Sequence, residues 1–334
     1  MARVLPAFHA PKNVGLTTRK PYFNMLFQSA SAVANITDGA SAINEISGMH
    51  SLLKDANYGN FVVIDDDIND KVFFIDRDGD TQGEVSLTGL TWADGECVTG
   101  YTDPSDDVSY IVVGEIGDNN SVRANKKLHR FVEPTVTGSN ITIAAVDYET
   151  ITCVFPSTPT FTSTPGAGGI LGDTEALFID PIDDLIYIFT KREPRPRIYT
   201  LPLQDSYTGT QTFTYRGEVH ESVITLENTG PSQVSGGTYT GLTEACISNN
   251  GQFVLVKTYT DVYQFWREDT TVPWYTVMQE QTPIVDPNYV GLGASPAQEP
   301  QGEAMTFDAQ DKGYYTTTEN SAGAVLPIYY YSRK

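Results

Sequence analysis

From residue 41 onward the apolar residues come in short runs, many of them alternating with polar ones. Nearly every run is bounded by Asp, Asn, Gly or Pro. This is the pattern of strands joined by turns, not of amphipathic helices, whose apolar positions recur every three to four residues. The runs group into units. The first reads EISGMHSLL, NFVVIDD, KVFFIDRDG and GEVSLTG, and the second ECVTGYT, SYIVVGEIGD, KKLHRFVEP and NITIAAVDY. The third reads EALFIDP, LIYIFTKR, RIYTLPL and TFTYRGEV, the fourth EACISNN, QFVLVKTYT, VYQFWRE and WYTVMQE, and the last EAMTFD, GYYTTTE and PIYYYSR. Four units of four strands and one of three predict an all-β fold, a β-propeller of four-stranded antiparallel blades over residues 41–334. The count is five blades, or six if the N-terminal segment and the long insertions conceal another. The strand missing from the last blade is expected from the N-terminal arm, for example within Tyr22–Gln28, closing the ring without a disulfide.

Two Pro-, Thr- and Gly-rich stretches, between Val154 and Asp173 and near Asn228–Thr240, read as long surface loops. DRDGDTQGE at Asp76–Glu84 resembles a calcium loop but lacks the glutamate that an EF-hand places twelfth, so it reads as an Asp-Gly hairpin turn. Residues 1–40 stand apart as a basic extended arm. Arg3, Lys12, Arg19 and Lys20, with no acid in the first 37 residues, carry +4 against −25 for the remainder, and Pro6, Pro11 and Pro21 interrupt any helix. Such an arm lies on a neighbouring subunit or another protein partner, or is an irregular strand closing the fold, or, being acid-poor and Ser/Thr-bearing, is a transit peptide.

Composition sharpens this picture. Only 19% of residues are charged and 40% are hydrophobic, with Tyr, Thr and Gly plentiful, which favours strands and turns. A net charge of −21 argues against a nucleic-acid partner, which needs a basic footprint. No stretch reaches the roughly 18 apolar residues of a membrane span. Cys97, Cys153 and Cys246 have no CxxC spacing and read as free thiols, with Cys97 and Cys246 buried on innermost strands.

The feature that points to a site is a glutamate opening each unit: Glu45, Glu96, Glu175, Glu244 and Glu303. In a propeller the start of each innermost strand and the end of the second strand meet around the central channel on one face. The second-strand ends add Asp65/Asp66, Glu115, Lys191, Lys257 and Glu319, with Asp118 in the loop that follows Glu115. Crowded carboxylates cannot all stay ionised without a counter-charge. Three solutions are open: a divalent cation, Ca2+ for its preference for many oxygen ligands; salt bridges to Lys191 and Lys257; or glutamates that cap backbone N–H groups and brace adjacent blades. The four histidines have no paired zinc spacing, and no GxSxG, P-loop or GxGxxG occurs.

At VVGEIGDNN, TEALFIDPIDDLIYIFTKR with IYTLPL, TEACISNNGQFVLVKTYTDVYQF and GEAMTFDAQDKGYYTTTE the chain resembles the phytase-like or esterase-like β-propeller proteins. The resemblance covers most of residues 95–334 and not the N-terminal 40. It implies that Glu96, Glu175, Glu244 and Glu303 are metal ligands and that the chain is a calcium-dependent phosphoester or ester hydrolase. Basic residues for a phosphate are confined to Lys191–Arg197. The other reading is a non-enzymatic binding or structural propeller at the surface of a particle or cell, such as a phage tail, fibre or decoration protein. It would be extracellular or part of a virion without a recognisable signal peptide, or else cytoplasmic. Its arm would anchor it and its face would meet a glycan or host surface.

Overall fold

A computed structural model describes residues 26–36, 43–54, 57–118, 122–136, 138–158, 172–191, 195–223, 241–291, 299, 301–319 and 326–334. The first strand, β1 (Ser31–Ile36), belongs to the last blade. Blade one is β2 (Ile46–Ser51), β3 (Phe61–Asp65), β4 (Ile68–Ile75) and β5 (Thr81–Leu87). Blade two follows with β6 (Gly95–Asp103), β7 (Val108–Glu115) and β8 (Lys126–Val132). The chain then forms β9 (Ile141–Ile143) and β10 (Tyr148–Val154), the fourth strand of that blade. Blade three is β11 (Thr174–Asp180), β12 (Leu185–Thr190), β13 (Arg197–Pro202) and, after the two-residue β14 (Gln211–Thr212), β15 (Thr214–Glu218). Blade four is β16 (Leu242–Ile247), β17 (Phe253–Thr258) and β18 (Val262–Trp266), then a helix α1 (Trp274–Glu280), then β19 (Ile284–Val285). Blade five is β20 (Ala304–Phe307), β21 (Gly313–Thr317), β22 (Leu326–Ser332) and β1. The fold is a five-bladed β-propeller.

The period of two along each strand builds the ring. On β11 every residue is buried, because both faces are covered by neighbouring blades. Ala176 and Phe178 pack toward blade four, and Leu177 and Ile179 toward blade two. The buried apolar residues form five clusters, one between each pair of adjacent blades, so the core is itself a ring. Polar staples add to it. Arg267 reaches from blade four to Asp180 and Asp183 of blade three, and Glu133 accepts the N–H groups of Leu53 and Lys54 across blades one and two.

Three local expectations change. The closing strand is Ser31–Ile36, paired antiparallel with β22, and of Tyr22–Gln28 the described residues 26–28 add a bridge from Phe27 to Arg333; residues 1–25 and 37–42 lie outside the described residues. NITIAAVDY is not the fourth strand of blade two. Its Ile141–Ile143 crosses to pair parallel with β5, and YETITCV takes the fourth position. WYTVMQE is a helix despite its strand-forming residues. Pro273 precedes it, and Trp274, Val277 and Met278 recur at helical spacing, with Trp274 and Met278 buried against blades three and four. Tertiary packing decides there against intrinsic propensity.

The hairpin at Asp76–Asp80 is the tight turn expected. Asp76 Oδ1 accepts the N–H groups of Asp78 and Asp80, and Gly79 has φ +86°. All three cysteines are buried free thiols. The stretch Asn228–Thr240 and most of the one after Val154 lie outside the described residues. No described helix is long and apolar enough to cross a membrane.

Candidate functional site

The glutamates are set on the axis by a device invisible in the sequence. In each of the first four blades the ladder between innermost and second strand slips by one residue at the same end of the channel, at Ser47, Glu96, Thr243 and Glu175. A bulge leaves its residue unpaired and re-aims its side chain. Glu96 and Glu175 are bulge residues, and Glu303 directly precedes β20, whose first ladder pair is Ala304 with Thr317. Carboxylate oxygens of Glu96, Glu175 and Glu303, from three blades, lie within 4.8 Å of one another and all three residues are buried. A second set, Asp66, Asp94 and Glu96, meets the same limit and is less buried. Glu96 therefore joins an inner and an outer carboxylate cluster.

The other two glutamates fall elsewhere. Glu244 is one residue past its bulge. It pairs with Lys257 on the ladder, and its carboxylate accepts its own neighbour's N–H at 2.9 Å and that of Met49. Glu45 lies before β2, where Ser47 holds the bulge. Burial and the charges of Asp67, Asp65 and Glu303 raise its pKa.

Of the second-strand residues, Lys191 contacts Glu175 and lies 3.5 Å from Glu303. Lys257 donates to the carbonyl of Gly302 and is fully buried, and its pKa is pushed down to about 8, by burial first, against the pull of Glu299, Glu303 and Glu244. Glu319 is hydrogen-bonded to Glu303. Burial and the neighbouring Glu303 raise Glu319 to about 11. Burial would also raise Glu303, but Lys191 and hydrogen bonds from Glu319 and Tyr259 outweigh it and hold Glu303 low.

Glu115 and Asp118 do not join the cluster. Glu115 is engaged within blade two by His129 at 3.0 Å, Lys127 at 3.2 Å and the N–H of Ala93. Asp118 accepts the N–H groups of Val122 and Arg123 and pairs with Lys126 at 3.3 Å.

Asp94 and Asp173 belong to this end of the channel and escape a search for strand-opening glutamates. Each stands two residues before its glutamate, in Asp94-Gly95-Glu96 and Asp173-Thr174-Glu175, and that repeated D-x-E spacing is a signal able to reveal them. Asp94 is paired with Arg123, and Asp173 accepts the N–H of Asp118 at 2.8 Å. Buried Glu299, whose Oε1 accepts from Thr316 and Tyr331, carries no comparable mark in the sequence.

The electrostatics are those of an over-charged pocket. Burial first, then Glu175, pushes Glu96 well above the carboxylate range, and Lys191 only partly offsets it. Burial and Asp94 raise Asp66 to about 7. Glu96 Oε1 and Glu175 Oε2 are buried with no hydrogen-bond partner among the described residues. The donors are all carboxylate oxygens, a set that suits a hard cation over zinc or copper.

No family model and no curated protein matches the chain. Among solved structures, the crystal structure of a nidogen/laminin complex is similar with a TM-score of 0.40 and 8% identity, over 83% of this chain and 73% of that one.

Proposed function

We propose that this chain is a non-enzymatic binding or structural propeller of a particle or cell surface, its ring stabilised by a hard divalent cation, calcium by preference, held through Glu96. The observation that carries this is the pair of buried, unpartnered oxygens, Glu96 Oε1 and Glu175 Oε2, inside two linked carboxylate clusters. A buried ionised carboxylate without a partner is costly. Lys191 and Arg123 answer only part of the charge of Asp66, Asp94, Glu96, Glu175 and Glu303. A cation bridging three blades neutralises the rest and ties the ring together.

The hydrolase reading asks in addition for cations directed at a phosphate. Lys191, Arg123, Lys126 and Lys257 each already hold a carboxylate or a carbonyl oxygen. The surface role draws on the position of β1 at the outer edge of blade five.

The test is cation content by mass spectrometry and melting with calcium or with EDTA. Calcium at about 100 times its dissociation constant is expected to add about 2.7 kcal/mol, and Glu96→Gln to abolish that response. A melting temperature indifferent to both calcium and EDTA overturns the cation reading. EDTA-sensitive turnover of p-nitrophenyl phosphate overturns the non-enzymatic one.

A further inference from the structure

The channel has a second mouth, where the innermost strands end, and its chemistry is the reverse of the first. A cavity of about 240 Å³ opens there among the ends of β2, β6, β11 and β16. Leu53, Ile179, Ile182 and Ile247 give it apolar walls, and Thr102 and Asn249 give it polar ones. A shallower cavity of about 480 Å³ shares Leu53 and Thr102 with it and continues between blades one and two past Ser109 and Val132.

The charged groups at this mouth are largely engaged. Asp180 is bound by Arg267 at 2.5 Å and by the N–H of Ile182, and Glu133 by the N–H groups of Leu53 and Lys54 and the amide of Asn57. Lys54 donates to the carbonyl of Glu133 at 3.2 Å. Asp107, at the outer end of the groove, is exposed.

One polar pair is placed to meet a ligand, and a second polar group lies beside the cavity, closed off from it. Thr102 and Ser109 share one hydrogen bond of 3.0 Å between two hydroxyls, which leaves one hydroxyl proton to donate elsewhere. His50 Nε2 is buried and has no partner among the described residues. Its ring is admitted by Gly100, where a Cβ would come within 2.6 Å of Nε2. Burial holds the imidazole neutral, with its pKa lowered to about 4.

We propose that this mouth binds a neutral carbohydrate, one pyranose ring in the axial cavity and the next residues along the groove between the first two blades. The proposal rests on the reading of the chain as a binding propeller and names its ligand class. A pyranose offers an apolar C–H face and a rim of hydroxyls that both donate and accept, which matches isoleucine walls beside hydroxyl and amide groups. The axial cavity falls just below the usual range of small-molecule pockets, roughly 300–1,000 Å³, so it takes one ring and not a larger ligand. An acidic sugar or a phosphate finds one lining cation among the described residues, Lys54, already donating to the Glu133 carbonyl, and meets a protein of net charge −21.

The test uses the full chain and saturation-transfer NMR. The probes are glucose, galactose, N-acetylglucosamine and their β-linked disaccharides, with glucuronate and a neutral tetrapeptide as contrasts. At least one neutral sugar is expected to bind, its disaccharide more tightly, and glucuronate and the tetrapeptide not at all. Ile182→Trp, which fills the mouth from a half-exposed position, is expected to abolish binding. Thr102→Val, which removes a hydroxyl from the lining of both cavities, is expected to weaken it about tenfold.

Absence of neutral-sugar binding, equal binding of glucuronate or the tetrapeptide, or unchanged binding in both variants overturns the proposal. Glu96→Gln, at the other mouth, is expected to leave sugar binding unchanged. In the unsubstituted chain, a melting temperature indifferent to calcium and EDTA with sugar binding intact overturns the cation reading alone, and a calcium response without sugar binding overturns this one alone.

Discussion

Removal of Phe27 tests whether the N-terminal segment closes the ring. Phe27 is 1% exposed and meets Tyr314 edge-on, with ring centroids 4.7 Å apart. Its carbonyl accepts from Asn288 at 2.7 Å. Phe27→Ala should cost about 3–5 kcal/mol in lost burial and residual cavity, of which about 0.5–1.5 kcal/mol is ring–ring geometry. At roughly 2.1 cal/mol/K per residue, a chain of 334 residues that unfolds as one unit has an unfolding entropy near 0.7 kcal/mol/K, so the midpoint falls by about 4–7 °C.

Deleting residues 1–36 should do far more. It takes the partner from β22 and uncovers Leu326 and Ile328 in the cluster between blades five and one. Deleting residues 1–25 keeps both Phe27 and β1. By calorimetry, the shorter deletion is expected to melt with the full chain, Phe27→Ala about 4–7 °C lower, and the longer deletion to aggregate or show no cooperative transition. If Phe27→Ala melted with the full chain, or if the two deletions behaved alike, the ring would not be closed by this segment. Gel filtration of the shorter deletion also reads whether the basic residues before Phe27 drive self-association.

Further predictions concern single groups. His50 binds a proton more weakly folded, at about 4, than its ordinary 6.5, so the unfolded chain holds more protons between those values and stability rises with pH across that window. The effect should be about 2 kcal/mol after discounting for partial exposure, and His50→Phe should flatten it in urea melts at pH 4.5 and 6.5. Arg267→Leu leaves Asp180 and Asp183 buried without their cation and should cost about 3–5 kcal/mol. Removing the partly exposed Lys71–Glu84 pair should cost under about 1 kcal/mol in the same denaturation assay. If the two changes destabilised equally, burial would not be what makes the Arg267 staple matter.

Much of the architecture was legible along the chain because blade strands are local objects. A run such as TEALFID, ended by a turn and followed by LIYIFT, declares a hairpin through its own periodicity. Where the reading failed, a distant partner decided. ITI at Ile141–Ile143 is strand-like anywhere, and only the free edge of β5 explains why it joins the preceding blade. WYTVMQE has the composition of a strand, and the groove it fills between blades three and four makes it a helix.

The repeated glutamate, and the end of the channel where the inner strands begin, were determined by the sequence alone. Which glutamates meet was decided by tertiary structure. A one-residue slip in the ladder turns Glu96 and Glu175 to the axis beside Glu303, while Glu244 lies one residue further along and Ser47 takes the place two beyond Glu45. Register is a relation between strands, and so is convergence on an axis. Spacing along one chain carries neither, because both arise only when five blades pack side by side and their bulges point the same way.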